Sequence, residues 1–234
     1  MNYKSILLSL TVLLFVCTSN AQEQKETKVE SFNKVKFEGS AQWVLIPSDE
    51  EKVIILSKNE DVFNYIDINQ SGGTLTVSTT DKNKNITKLF NSVTIKVYFK
   101  SLKSVYLSGV GSVTSEGRIV SSKLTSTLKG TGDMNIEIEC SDFVGNMQGA
   151  GSLYVKGNAK SGLVRVEGVG GFDGYELLCS NMDVTVSGVG GAKVYASEVL
   201  NATLNGVGSI KYKGDPETKN LDTNGIGSIK KIAD

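Results

Sequence analysis

Histidine is missing from all 234 residues. That absence removes the Ser-His-Asp triad, the histidine-ligated zinc site and the commonest general base together. Proline, at 2 residues, and aromatics, at 7%, are also scarce. The 25 basic residues are matched by 25 acidic ones, so no positive field exists to hold a polyphosphate, and nucleic acid is not an expected partner. Glycine alone is in excess, at 25 residues. Disordered chains gain proline and lose β-branched residues, which this chain does not do, so the glycine must serve an ordered structure.

A hydrophobic run long enough to cross a membrane is lacking as well. Lys4 precedes an apolar stretch from Ile6 to Cys17, which gives way to Thr18-Ser19-Asn20-Ala21. A charged start, a short apolar stretch and a small-residue exit describe a secretory signal peptide over residues 1–21, cleaved after Ala21. The minority alternative is lipidation at Cys17, against which stands the bulky Val16 before it. The mature chain then holds a linker at 22–30 and one domain at 31–234, with no transmembrane segment. Irregular N-terminal rungs occupy 31–102 and regular repeats 103–234.

What the chain has is a period. Gly109-x-Gly111 recurs as Gly130-x-Gly132, Gly149-x-Gly151, Gly168-x-Gly170, Gly188-x-Gly190, Gly206-x-Gly208 and Gly225-x-Gly227, at spacings of 18 to 21 residues. Two residues before each first glycine stand Leu107, Leu128, Met147, Val166, Val186, Leu204 and Thr223, nearly all apolar. One residue before it the position is always polar, and three before it mostly so. That alternation of two describes a half-buried strand entering each turn. Four residues after the first glycine come Val113, Met134, Leu153, Phe172, Ala192, Ile210 and Ile229, the start of the next strand. The small branched residue between the glycines is expected to point inward at the corner.

A repeat this short cannot bury its apolar face alone, whereas stacked copies make a continuous core with parallel strands about 4.8 Å apart. The pattern therefore predicts an all-β parallel β-helix of about seven Gly-x-Gly rungs. Cys140 and Cys179 fall roughly two rungs apart, about 9 to 10 Å, too far for a disulfide. Phe37 to Ile46 reads as a degenerate first rung, and Lys52–Ser57, Thr74–Thr79 and Val93–Phe99 as strands. They are divided by Ser71-Gly72-Gly73 and by a polar stretch at 81–85, in what reads as the same solenoid with longer excursions. Lys211, Lys213, Lys219, Lys230 and Lys231 crowd the C-terminal rungs, where lysine guards an open sheet edge.

At these residues the sequence resembles the family called putative auto-transporter adhesin, head GIN domain, over about Phe32 to Ile232. The likeness rests on Pro47 to Tyr65 followed by Gly73-Thr74-Leu75-Thr76-Val77, on Leu102-Lys103-Ser104-Val105, and on the serial glycine turns. It implies a right-handed, pectate-lyase-like β-helix, export, and an adhesin-like role. The usual Gly-Ser-Gly turn of the family is mostly Gly-Val-Gly here, which makes the corner more apolar.

No catalytic residue, metal site or cofactor is expected. Asp133, Asp142, Asp173 and Asp183 sit at different offsets in their rungs, so stacking should not gather them. Arg165 and Glu167 read as a surface ion pair. Gly170 to Gly174 resembles a calcium-binding repeat, but the period is wrong for it and turn chemistry explains it better. Trp43, Tyr106, Tyr154, Tyr195 and Tyr212 can stack on sugars or fill a core. The leading expectation is a non-enzymatic cell-envelope adhesin or scaffold, binding a cell-surface, glycan or protein ligand. Its candidate site is the outward ladder Tyr106, Thr127, Asn146, Arg165, Thr185 and Thr203 with Lys129, Gln148 and Glu167. A polysaccharide lyase or hydrolase on the same fold is the alternative, and a spacer with no ligand the third.

Overall fold

The computed structural model describes residues 22–80 and 93–233. The signal peptide with Cys17, the cleavage point at Ala21 and the polar stretch at 81–85 lie outside the described residues.

Alternation of buried and exposed side chains runs along the strands and shifts parity once per turn, as between Cys140 and Phe143, where the ribbon bends. β7 (Ser104–Leu128), β8 (Thr131–Met147) and β9 (Ala150–Val166) are long strands that wrap around the body. Later turns break into shorter pieces: β10 (Val169–Asp173), β11 (Leu177–Val186), β12 (Val189–Tyr195), β13 (Val199–Leu204), β14 (Val207–Lys213), β15 (Thr218–Thr223) and β16 (Ile226–Lys231). One parallel stack runs β7, β8, β9, β10, β12, β14, β16, and a second runs β9, β11, β13, β15. The fold is an all-β solenoid.

The turns stack glycine on glycine: Gly111, Gly132, Gly151, Gly170, Gly190, Gly208 and Gly227 pair in one unbroken register. Their φ angles run from 135° to 152°, backbone that L side chains rarely adopt. The first glycine of each pair is needed for space instead. A Cβ at Gly168, for example, would run into the carbonyl oxygen of Gly149 in the preceding turn.

The residue between the glycines points outward, contrary to the sequence expectation. Val110, Val169, Val189, Val207 and Ile226 are 47–73% exposed. The alternation passes through the corner unbroken, so the two glycines take the inward positions and the residue between them faces solvent.

Inside, each turn fills a fixed cross-section by setting large residues beside small ones. Phe143 neighbours Gly145, where a Cβ would meet the phenyl ring at 3.0 Å. One turn on, Gly162 leaves room for the tip of Met182 from the next turn. Phe143 and Phe172 stack at 6.2 Å between centroids. Cys140 pairs with Ala159 and Ala159 with Cys179, so the two cysteines are two turns apart and both are free thiols.

At the N-terminal end, β2 (Lys34–Pro47) is the degenerate turn expected from the sequence. Gly39 stands opposite Gly109, and Ala41 occupies the place of the second glycine, opposite Gly111. β5 (Thr74–Thr79) and β6 (Thr94–Phe99) pair parallel with β2. Above them the direction reverses: β3 (Lys52–Ser57) runs antiparallel to β6, and β4 (Ile66–Ser71) antiparallel to β5 through Gly72 and Gly73, both with positive φ. Between them lies a 3-10 turn, Glu60–Tyr65. The segment expected as a linker contains β1 (Glu23–Lys28), antiparallel to β3. Its side chains are almost all exposed, so the strand is held by backbone pairing and carries no apolar signal. β2, β5 and β6 thus continue the parallel stack, and β1, β3 and β4 are antiparallel excursions that cap it. Trp43 is fully buried, stacked on Phe37 at 4.7 Å.

At the other end the inward columns change chemistry. Lys219 stacks on Leu200 and Lys231 on Tyr212, so the last described turn presents inward-facing lysines where earlier turns present core residues. Lys219 donates to the Pro216 carbonyl at 3.0 Å, and Lys231 is paired with Asp215.

Candidate functional site

The outward side of the second stack is a flat field of side chains in columns, one residue per turn. Thr127, Asn146, Arg165, Thr185 and Thr203 stand in consecutive register, with Asp222 closing the row. Tyr106 sits at the head of the row, where the chain of β7 stacks back on itself: Thr125 N–H donates to Lys103 O at 2.9 Å and Lys129 N–H to Leu107 O at 2.9 Å. Nearer the corner run Lys129, Gln148 and Glu167, all exposed. The structure therefore places the nine candidate residues on one surface.

Most side-chain hydrogen bonds on this surface run between turns, although Asn224 Nδ2 also donates along its strand to Asp222 Oδ2 at 2.8 Å. Asn146 Nδ2 donates to Thr127 Oγ1 at 3.4 Å, Gln148 Nε2 to Glu167 Oε2 at 3.0 Å, and Asn224 Nδ2 to Asn205 Oδ1 at 3.2 Å. The expected Arg165–Glu167 ion pair does not form. Residues two apart on a strand lie about 6.6 Å apart, whereas neighbours in adjacent turns lie about 4.8 Å apart, so Gln148 reaches Glu167 first. Arg165 is left exposed without an ion pair among the described residues.

Two further columns of the same surface escaped the sequence reading. Lys123, Asp142, Ser161 and Asn181 form one, and Thr125, Val144, Leu163, Asp183 and Asn201 the other. Together they enclose a shallow concavity of about 510 Å³ with Val144 and Leu163 exposing apolar surface within a polar rim. The signal was available, since these residues share the parity of the ladder. Their mixture of Val, Leu, Asp and Asn hid it.

Asp142 and Asp183, expected to stand apart, border this same concavity. They lie in adjacent columns and two turns apart. Asp133 and Asp173 are on the other stack. Among the described residues no group of three or more His, Cys, Asp or Glu side chains is placed to hold a metal ion. The densest ion network is elsewhere: Arg118 contacts Glu137 at 3.1 Å and Glu139 at 2.8 Å, and Lys156 reaches Glu137 at 3.3 Å. Hydrogen bonds from Arg118 first, then Lys156, hold the Glu137 carboxyl below its usual range. Of the aromatics considered for sugar stacking, Trp43 and Tyr212 are buried, and Tyr154 is exposed.

What this surface offers is a grid of hydrogen-bonding groups at a repeat of about 4.8 Å beside a shallow apolar patch. Such a grid can recognise a polar, repeating surface. No helix among the described residues is long and apolar enough to cross a membrane.

A model of the family described as putative auto-transporter adhesin, head GIN domain, matches residues 31–216. No curated protein matches the chain. Among solved structures, a putative adhesin from Bacteroides fragilis NCTC 9343 superposes with a TM-score of 0.86 at 27% identity, over 92% of this chain and 98% of that one. A putative adhesin from Parabacteroides merdae ATCC 43184 gives 0.64 at 18%, covering 91% and 96% of the two chains. A putative lipid binding protein from Parabacteroides distasonis ATCC 8503 gives 0.57 at 22%, covering 91% and 97%. The latter two share the fold.

Proposed function

The chain belongs to the putative auto-transporter adhesin, head GIN domain family, and from that membership we propose that it is an exported, non-enzymatic cell-envelope protein that binds a surface ligand through the side of its solenoid. Export follows from the signal peptide at residues 1–21, with a mature chain at 22–234 and Cys17 lost on cleavage after Ala21. The family resemblance implies a right-handed, pectate-lyase-like coil, a hand that the general preference of parallel crossovers supports.

One observation carries the reading. Tyr106, Thr127, Lys129, Asn146, Gln148, Arg165, Glu167, Thr185 and Thr203 share one face with the concavity around Leu163, and the exposed Arg165 guanidinium has no ion-pair partner among the described residues. The B. fragilis protein, 27% identical over nearly the whole chain, is described as a putative adhesin, which accords with this assignment.

The test is a glycan and matrix-protein array probed with the exported chain, followed by a depolymerisation assay on each hit. Binding without bond cleavage is expected, and Arg165→Ala with Gln148→Ala should weaken it about tenfold while the unfolding midpoint stays put. Cleavage of a bound polysaccharide would overturn the non-enzymatic assignment and direct attention to Asp142 and Asp183. Unchanged binding in the double variant would move the site off this face.

A further inference from the structure

The opposite stack carries a second hollow that the ladder does not use. On the outward side of that stack one column reads Ser152, Gly171, Gly191, Ser209 in consecutive register. Two successive glycines remove two side chains, leaving a hollow of about 200 Å³ with a bare backbone floor. From Ser152 to Ser209 it spans three strand spacings, about 14 Å. Its long wall is the column Tyr154, Asp173, Lys193, Lys211, continued by Lys230; beyond its other edge, two residues back along the strands, stand the exposed Val169 and Val189.

That last column is charged in an unbalanced way. Lys193 is neutralised by Asp173 at 2.8 Å. Lys211 and Lys230 then follow directly in register, and neither has an ion-pair partner among the described residues. Like charges placed opposite one another in a ladder repel, so this end of the hollow is prepared for an anion. Tyr154 and Asp173 also border an adjoining concavity of about 370 Å³, where the phenol oxygen of Tyr175 is buried without a hydrogen-bond partner. The Tyr175 ring lies under Lys193 and Lys213, at 5.5 and 5.4 Å.

The floor narrows the ligand class. Backbone groups at Gly171 and Gly191 are committed to the parallel ladder on both sides, so an extended peptide has nothing to pair with. A stable protein interface needs about 800 Å² per partner, far more than this hollow supplies. What remains is a flat C–H surface with exposed valines beyond its edge, two hydroxyls and a cation. We propose that the hollow binds an acidic sugar unit of a polysaccharide, its ring on the Gly171–Gly191 floor beside Val169 and Val189 and its carboxylate at Lys211. The serine hydroxyls at 152 and 209 meet ring hydroxyls, and Tyr154 leads the polymer into the adjoining concavity.

This site goes beyond the ladder and is separable from it. The exported chain would be titrated by calorimetry with tetragalacturonate, tetramannuronate and a heparin tetrasaccharide, and with the methyl ester of tetragalacturonate as the uncharged control. At least one acid is expected to bind, about tenfold tighter than the methyl ester control, and more weakly as salt is raised. Lys211→Gln and Gly171→Ser should each weaken it about tenfold. Serine already stands at 112, 152, 209 and 228 in this column, so Gly171→Ser fills the hollow without breaking the fold. Absence of binding by all three acids, equal binding of the ester, or indifference to Gly171→Ser would each overturn the proposal. If array ligands depend on Arg165 and Gln148 but ignore Lys211→Gln, the ladder reading stands and this one falls.

Discussion

At Gly168 the difficulty for any other residue is space, and at Gly170 it is the backbone as well. Gly170 holds φ at 138°, and a Cβ there would also meet Met147 Cε at 2.6 Å. Gly170→Ala should therefore cost about 2 kcal/mol or more. Gly171, one residue later, has no positive φ, and a Cβ there would come to 3.2 Å from the Gly191 carbonyl oxygen, a contact that a small shift relieves, so Gly171→Ser should stay within about 1 kcal/mol. Urea titrations would show this as a lowered midpoint with an unchanged slope for the first variant only; equal midpoints would remove the backbone argument. The glycine pairs were plain in the sequence, and so was the information that Val169 faces out, because Val166, Gly168, Gly170 and Phe172 share one parity and Val169 has the other. Treating the corner as an exception to the alternation was the error.

The thiols belong to the same scale. Burial raises Cys179 from an ordinary value of 9.0 to about 12, and Cys140 to about 11. Both are neutral thiols at physiological pH, in the folded and the unfolded chain alike. Above about pH 9 the unfolded chain ionises while the folded one does not, so their contribution is complete below pH 9 and is lost as pH rises toward 11 and 12. Folding stability measured from pH 8 to pH 11 should fall more steeply in the natural protein than in a Cys140→Ala, Cys179→Ala variant. Parallel curves would mean that the thiols do not titrate differently on folding.

Among the elements, those with an apolar alternation were legible. β3 and β5 match the expected strands residue for residue, and β6 to within one residue. β1 was not, because an exposed edge strand such as Glu-Gln-Lys-Glu-Thr-Lys is built from backbone bonds. The direction of β3 and β4 was equally hidden, since alternation is the same for parallel and antiparallel pairing. The lysines of the last turn were legible as a group, but only the register shows that Lys219 and Lys231 point inward. A charged side chain at the end of a core column prevents another sheet from adding there. Lys219→Leu with Lys231→Ile should turn that surface into a docking edge, and sedimentation at rising concentration should show self-association. A double variant that remains monomeric at all concentrations would assign the edge protection to some other feature.

The whole molecule is a stack in which each turn touches only its neighbours, closed by an antiparallel cap at one end and lysines at the other. Its charges cancel in number yet are unevenly placed, with Lys211 and Lys230 consecutive in one column and unpaired among the described residues, and a mixed row of Thr, Asn, Arg165 and Asp222 on the other stack. Composition alone argued against nucleic acid as a partner. It could not reveal a local field, which arises only when residues about 19 apart are brought to the strand spacing.

The glycine-on-glycine register also fixes how the body would behave under a pulling force. Every inter-turn hydrogen bond lies along the long axis, so tension applied between the two ends loads one layer of bonds at a time instead of shearing many together. The stack would give way as a zipper, each event releasing about 19 residues, or about 65 Å of extended chain. In the adhesin-like role proposed for it, such a sequence of small yields would dissipate a jolt while the turns beyond the break, and any ligand seated on them, stay in place.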